Sequence, residues 1–257
     1  MEGFCPLASG SKGNCIYFGT KQVKVLIDCG ISGKAVRKKL LEIGVDAADI
    51  DAIIVSHEHT DHIQGLKVMA CKLGIPVFAN SGTAKGVIHR LNASPKFKIF
   101  STGESFAFGD IEVHPFSVPH DTADPVAFII KLQDMKIGVC TDLGFVTSLV
   151  QKYLEDCDYL YLEANHQPSM VHASLRPYIY KQRVLGRSGH LSNEACAHLI
   201  RDVWSPRLKH VYLAHLSSEC NTPETAMTTI NEILKDKAEK IRFSIAEQST
   251  VSRAISF

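Results

Sequence analysis

The stretch Ala52-Ile53-Ile54-Val55-Ser56-His57-Glu58-His59-Thr60-Asp61-His62 decides how the rest of this chain is read. Its first four residues are apolar and mostly β-branched, the composition of a buried strand. The next seven place four metal-ligating side chains, His57, His59, Asp61 and His62, close together. Ile63, Leu66, Met69 and Ala70 then recur at helical spacing, so the ligands sit on a strand-to-helix turn. His57-Glu58 matches the start of the helical zinc-protease pattern, but that pattern needs a second His where this chain has Asp61. Ligands at this uneven spacing cannot converge on one point from a regular helix or strand. A tight loop can aim them in two directions, which suggests two metal ions.

Composition narrows the setting. The chain has 257 residues, 45% hydrophobic and 21% charged, as an ordinary soluble globular protein has. A net charge of +1 gives no global basic character for nucleic acid, although a local patch suffices for that. The eight cysteines form no C-x-x-C pair and mostly lie in apolar runs, which reads as reduced thiols in a cytoplasmic enzyme. No signal peptide pattern and no membrane-length apolar run is present. With no linker, low-complexity tract or solenoid period, residues 1–257 are expected to form a single domain.

The pattern around the metal loop alternates strands and helices. The small-residue loop at 8–14 precedes strands near 15–18 and 22–28. That loop either offers N–H groups to an anion or ends a hairpin. Asp28 closes the second strand, as a helper of the metal loop or as a turn acid. Ser32 is an N-cap for a helix carrying Val36, Leu40 and Ile43 and stopping at Gly44. A strand at 76–79 and a helix at 81–91 come next. The texture then turns to strands near 97–100, 104–108, 111–118, 126–132 and 135–140. Further on come a helix at 145–155, a strand at 159–163 and a polar, basic segment at 172–188. Ser192 caps a helix with Ala195, Leu199, Ile200 and Val203 inward, and after it comes a strand at 209–214. Thr222-Pro223 starts a long helix, and a β pair closes the chain at 241–255. Ile27-Asp28-Cys29-Gly30 and Thr141-Asp142-Leu143-Gly144 echo one another, which hints at internal duplication.

The recurring event is a His or Asp at the end of an apolar strand: His57 to His62, His120, Asp142, His166 and His215. Strand ends along one sheet edge are where open α/β architectures place their chemistry. Five of these histidines, all but His166, and the two aspartates Asp61 and Asp142 are enough for two ions with one bridging carboxylate, an arrangement suited to in-line displacement.

His57-x-His59-x-Asp61-His62 followed by His120, Asp142 and His215 resembles the metallo-β-lactamase superfamily over essentially the whole chain. The resemblance implies an α/β fold, a four-layer αββα sandwich of two mixed sheets flanked by helices. It also implies ligand roles. His57, His59 and His120 hold one ion, Asp61, His62 and His215 hold the other, and Asp142 bridges. The ions are Zn²⁺ or Mn²⁺, between which a mixed N/O ligand set does not choose.

Gly189-His190-Leu191-Ser192, with Leu213-Ala214-His215-Leu216-Ser217, resembles the ribonuclease Z phosphodiesterases, which gives His190 a role at the scissile phosphate or leaving group. The loop Ala8 to Asn14, with Leu162 to His166 and Ser218 to Asn221, is similar to the YycJ/WalJ-like bacterial group, regarded as DNA exonucleases acting from the 5′ end. The expectation is a phosphodiesterase using a hydroxide between two metals, with nucleic acid, DNA before RNA, as substrate. Asp61 and His190 are its catalytic candidates. Asn165 and His166 are candidate substrate-binding residues, with a structural role as the alternative, and Glu163 is a candidate to orient a ligand histidine. His89, His114, His172, His198 and His210 read as structural, and the basic residues at 176–187 as a solvated face or a strand groove. The alternatives are hydrolysis of a thioester, lactone or β-lactam on the same metals, and a nucleic-acid-binding scaffold without catalysis.

Overall fold

A computed structural model describes residues 1–257. The chain groups into two compact units, each discontinuous in sequence. The first comprises Met1–Val113, Thr122–Val126 and Glu247–Phe257, and the second His114–Asp121 and Ala127–Ala246.

The first unit is built on a six-stranded sheet of β1 (Gly3–Ala8), β2 (Cys15–Gly19), β3 (Lys24–Ile27), β4 (Ala52–Ile54), β5 (Val77–Ala79) and β6 (Phe97–Ile99), in sequential order. The first three are antiparallel and β3 to β6 parallel. Helices α1 (Gly33–Glu42), α2 (Thr60–Ile63), α3 (Leu66–Met69) and α4 (Ser81–Leu91) connect the parallel strands. Val36 and Leu40 of α1, Leu66 and Met69 of α3, and Val87 of α4 share one core with Leu26, Ile53 and Val77 of the sheet. Ile53 and Ile54, fully buried in the middle of this sheet, each stabilise it by about 2–3 kcal/mol relative to exposure. The strand that delivers the metal loop is therefore firmly anchored in the core.

The second sheet runs in the order β13-β12-β11-β10-β9-β8-β7. Its strands are β7 (Phe106–Phe108), β8 (Ile111–Ser117), β9 (Val126–Leu132), β10 (Met135–Cys140), β11 (Tyr159–Glu163), β12 (His210–Ala214) and β13 (Arg242–Ile245). Antiparallel pairs β7–β8 and β9–β10 lead into a parallel run from β10 to β13. Helices α5 (Ser148–Leu154), α6 (Pro168–Ala173), α7 (Tyr178–Leu185), α8 (Asn193–Val203) and α9 (Pro223–Leu234) complete the second unit. Val150 of α5, Leu199 and Ile200 of α8, and Ile230 of α9 pack with Leu160 and Val211 of the sheet. Antiparallel strands followed by a parallel run occur in both sheets, a topological form of the echo between residues 27–30 and 141–144.

The expected caps are present. Ser32, Ser192 and Thr222 each accept, through the side-chain oxygen, the N–H three residues on. One sequence expectation needs correction, and two elements appear where the sequence gives no signal. Gly3–Ala8 is a strand although Pro6 interrupts its pattern. It sits at the sheet edge, where a missing N–H is tolerated. The closing segment makes no β pair: β13 pairs with β12, and Ile255 bridges to Phe4. The polar segment holds the end of α6 and all of α7, and α7 buries only Val184, so no apolar period announces it.

Candidate metal centre

The metal loop of the first unit is fixed by Asp28. This residue adopts φ +58° at the end of β3, a left-handed conformation that Asp tolerates better than most residues. Its Oδ1 accepts from the Ser56 N–H at 2.8 Å, and its Oδ2 accepts from the Ser56 hydroxyl at 2.8 Å and from His62 Nδ1 at 2.7 Å. The Ser56 oxygen in turn meets His57 Nδ1 at 3.0 Å. With the Ser56 proton engaged on Asp28, His57 is the donor in that contact. Both imidazoles are thereby held with a proton on Nδ1, the tautomer that ligates a metal through Nε2. The His57 ring centroid lies 4.9 Å from that of His59 and 4.0 Å from that of His62, and Asp61 Oδ2 lies 3.6 Å from His62 Nε2. The four loop residues do form one cluster.

The small-residue loop ends the β1–β2 hairpin and also buttresses this cluster. Asn14 donates its N–H to the Asp61 carbonyl at 2.7 Å, and its side-chain amide nitrogen stands 3.0 Å from His62 Nε2. Its amide oxygen accepts from the Gly10 N–H at 2.8 Å. A Cβ on Gly30 would fall 1.6 Å from the Asp61 carbonyl oxygen, so only glycine allows the two backbones this close. Asn14 and Ser56 carry roles that the sequence does not signal. Their partners are distant in sequence or in the side chain of Asp28, and no local pattern encodes either.

In the second unit Glu163, wholly buried at the end of β11, is the organising carboxylate. Its Oε1 accepts from His190 Nδ1 at 2.7 Å and from His215 Nδ1 at 3.0 Å. Its Oε2 accepts from the N–H groups of Leu143 at 2.7 Å and Leu191 at 3.2 Å. Burial pushes the Glu163 carboxyl up, but the facing His190 and the hydrogen bonds from both imidazoles outweigh it and hold the group below the usual carboxylate range. His120 directs Nδ1 to the Gly189 carbonyl at 3.1 Å. Asp142, with φ +57°, places Oδ1 at 3.8 Å from His120 Nε2, 3.7 Å from His190 Nδ1 and 3.5 Å from His215 Nδ1. His215 is also left-handed, with φ +54°. Ligand atoms of Asp142, Glu163, His190 and His215 all lie within 4.8 Å of one another, a group able to hold a metal ion.

Asn165 and His166 extend β11 beside residues 191–193. The Asn165 amide nitrogen donates to the His215 carbonyl at 2.8 Å, which fixes the ligand strand end. His166 is buried, and burial lowers its pKa to about 4, so its ring is neutral. The basic segment is largely paired. Arg183 bonds Asp121 at 2.8 Å, Arg176 bonds Glu219 at 2.7 Å, and the Lys181 ammonium donates to the His172 carbonyl. His210 bonds Ser244, and His114 lies against the Tyr153 ring, in keeping with structural roles.

The donor chemistry fits divalent metal. Each unit presents histidines whose Nδ1 is taken by a carboxylate, a serine hydroxyl or a backbone carbonyl, with carboxylates alongside. That outer layer is what sets ligand tautomer and basicity in metal sites. Fold and site together define a metal-dependent hydrolase.

Residues 23–215 match the model of the beta-lactamase superfamily domain, and the chain belongs to that superfamily, in its YycJ/WalJ branch. It is 38% identical over 237 residues to exodeoxyribonuclease YycJ of Bacillus anthracis, across 91% of this chain and 89% of that protein. It is 36% identical over 250 residues to exodeoxyribonuclease WalJ of Streptococcus pneumoniae, across 95% and 93% respectively. In fold it is similar to the metallo-beta-lactamase fold protein YhfI from Bacillus subtilis, with a TM-score of 0.73 at 16% identity over 98% of this chain and 99% of that one. The two mixed sheets flanked by helices expected from sequence are the fold of this superfamily.

Proposed function

We propose that the protein is a dinuclear-metal phosphodiesterase, a 5′-to-3′ DNA exonuclease of the cytoplasm. His57, His59 and His120 would hold one ion, Asp61, His62 and His215 the other, and Asp142 would bridge them. Two Zn²⁺ or Mn²⁺ ions so bound supply Lewis acidity at the phosphoryl oxygens and acidify water. The remaining chemistry falls to the chain's own side chains. Asp61 accepts a proton from the attacking water. His190, with Nδ1 bonded to the buried Glu163 carboxylate, offers Nε2 as the proton donor to the departing 3′ oxygen. Asn165 acts through the His215 backbone as a positioning residue, and His166 faces substrate.

The observation that carries this reading is the Glu163 carboxylate shared between a ligand histidine and the partly exposed His190. One anion thereby fixes both a metal-binding ring and the ring of the proposed acid catalyst. The DNA substrate is supported by the activity named for both relatives, and the cytoplasm by seven buried free thiols. No helix is long and apolar enough to cross a membrane.

The test compares 5′-labelled single- and double-stranded DNA, structured RNA, a thioester and a β-lactam, with Mn²⁺ or Zn²⁺ added. Release of 5′ mononucleotides from DNA is the expected result, and hydrolysis of only the thioester or β-lactam overturns the nuclease reading. Binding of nucleic acid with no turnover on any substrate indicates a scaffold. His190→Ala is expected to lower turnover by about 10²–10⁴-fold at unchanged metal content. Metal analysis is expected to give two ions per chain, and saturation at one overturns the dinuclear assignment.

A further inference from the structure

Within the second unit a cavity of about 450 Å³ opens beside His190, which is one of its lining residues. Its walls are mostly apolar, from Phe145, Val146 and Pro168 on one part and Leu191, Ala195 and Leu199 on another. The Arg187 guanidinium lies 4.2 Å from the centroid of the half-buried Phe145 ring. His166 also lines the cavity. It is only 2% exposed, and its Nδ1 is a buried ring nitrogen with no hydrogen-bond partner. A buried polar atom left in that condition costs free energy unless something bonds it.

We propose that this cavity is a nucleobase subsite, which takes the base of the terminal nucleotide whose 3′ oxygen is released. The assignment rests on the phosphodiesterase reading. It adds a specific contact for the base, separate from the contacts at phosphorus. Size and chemistry agree with a planar heteroaromatic ring. The volume lies within the range of small-molecule sites, and such sites combine apolar walls with few polar groups. A phosphate calls for cationic or N–H lining, whereas most of this lining is apolar. Phe145 supplies the cavity with an aromatic side chain, held by Arg187 stacked on its ring, and aromatic rings hold bases in single-stranded nucleic-acid sites without regard to sequence. A neutral imidazole carries one donor and one acceptor nitrogen, so His166 brings a polar ring of either hydrogen-bonding sense to this wall. The place also suits the chemistry. His190 serves as both a cavity wall and the proposed proton donor, so the nucleotide attached to the departing oxygen is the one beside it.

The experiment compares a 5′-phosphorylated oligodeoxynucleotide with the same strand carrying a tetrahydrofuran abasic residue at its first position. The enzyme is the metal-loaded wild type, Phe145→Ala, or Ala195→Phe, which fills the cavity from α8. Metal content and thermal melting are recorded for each. Wild type is expected to favour the base-bearing end in kcat/KM by about 5- to 100-fold. In both variants that ratio is expected to fall towards one. A wild-type ratio near one, or a wild-type ratio retained in both variants, overturns the subsite. In parallel, calorimetry measures deoxyadenosine 5′-monophosphate against 2-deoxyribose 5-phosphate on metal-free protein. Tighter binding of the nucleotide by wild type, lost in Ala195→Phe, supports the subsite, and equal or absent binding overturns it. If no oligonucleotide is cleaved, the phosphodiesterase reading fails, and the calorimetry still decides whether the cavity takes a base.

Discussion

Replacing Glu163 by Gln keeps the shape of the side chain and removes its charge, which isolates the role of the shared carboxylate. Four donors converge on Glu163: two imidazole Nδ1–H groups on one oxygen and two backbone N–H groups on the other. A glutamine offers one oxygen, so whichever way its amide turns, two donors face an NH₂ group. Hydrogen bonds to charged groups contribute about 1.5–3 kcal/mol each, so losing two sets an upper bound of about 3–6 kcal/mol. If the amide nitrogen faces the histidines, they can relieve part of this by moving their protons to Nε2. That tautomer removes the lone pair His215 needs for a metal. The expected net result is a loss of about 2–4 kcal/mol in unfolding free energy. Metal affinity is expected to fall about 10- to 100-fold, the usual effect of removing a group that orients a ligand. Chelator competition measures the affinity, urea unfolding of the metal-free protein measures the stability, and long-range ¹H–¹⁵N spectra report the tautomers of His190 and His215. Unchanged affinity together with Nδ1-protonated rings in Glu163→Gln would refute the reasoning.

Three other sites give outcomes of their own. Asp28→Ala removes the acceptor of Ser56 and His62 at once, and is expected to cost about 2–4 kcal/mol and to weaken metal binding, read by melting and by chelator competition. Asp28→Asn tolerates the left-handed backbone but faces donors with an amide, so it is expected to recover little. Gly30→Ala drives a methyl into the Asp61 carbonyl and is expected to destabilise by about 1–3 kcal/mol, with reduced metal content. A gain in melting temperature would contradict the close approach. Asp158 has no part in the metal chemistry. Burial raises its pKa, but hydrogen bonds from Arg207, the Lys136 N–H and Lys209 outweigh this and lower it overall. A carboxylate lowered on folding adds stability above its unfolded pKa of about 3.9 and loses it as pH falls through the folded value. Asp158→Asn should therefore be less stable than wild type by about 1–3 kcal/mol at neutral pH, with the gap closing below about pH 4. A gap independent of pH would place its origin elsewhere.

The elements most legible in the sequence are those whose signals are local. β4 and the loop from His57 to His62, the caps at Ser32, Ser192 and Thr222, and the apolar faces of α8 and α9 are each written within a few residues. β1 is illegible because its proline is acceptable only at an edge or a bulge, and both belong to the sheet rather than to the strand. α7 is illegible because most of its surface is exposed, including Tyr178 and Ile179. A helix with no buried stripe leaves no period of 3.6 to find.

For the candidate site, local sequence supplies the inventory: a run of ligands after a buried strand, and His120, Asp142, His190 and His215 at later element ends. Which groups hold those ligands is a property of the tertiary structure. Asp28 and Ser56 are 28 residues apart, and Glu163 and His215 are 52 apart. They meet because β3 and β4, and likewise β11 and β12, run parallel and end at the same sheet edge. Local sequence can specify a strand and the turn that leaves it. Which carboxylate receives which imidazole proton depends on strand order and register, and those are fixed only when the sheet forms.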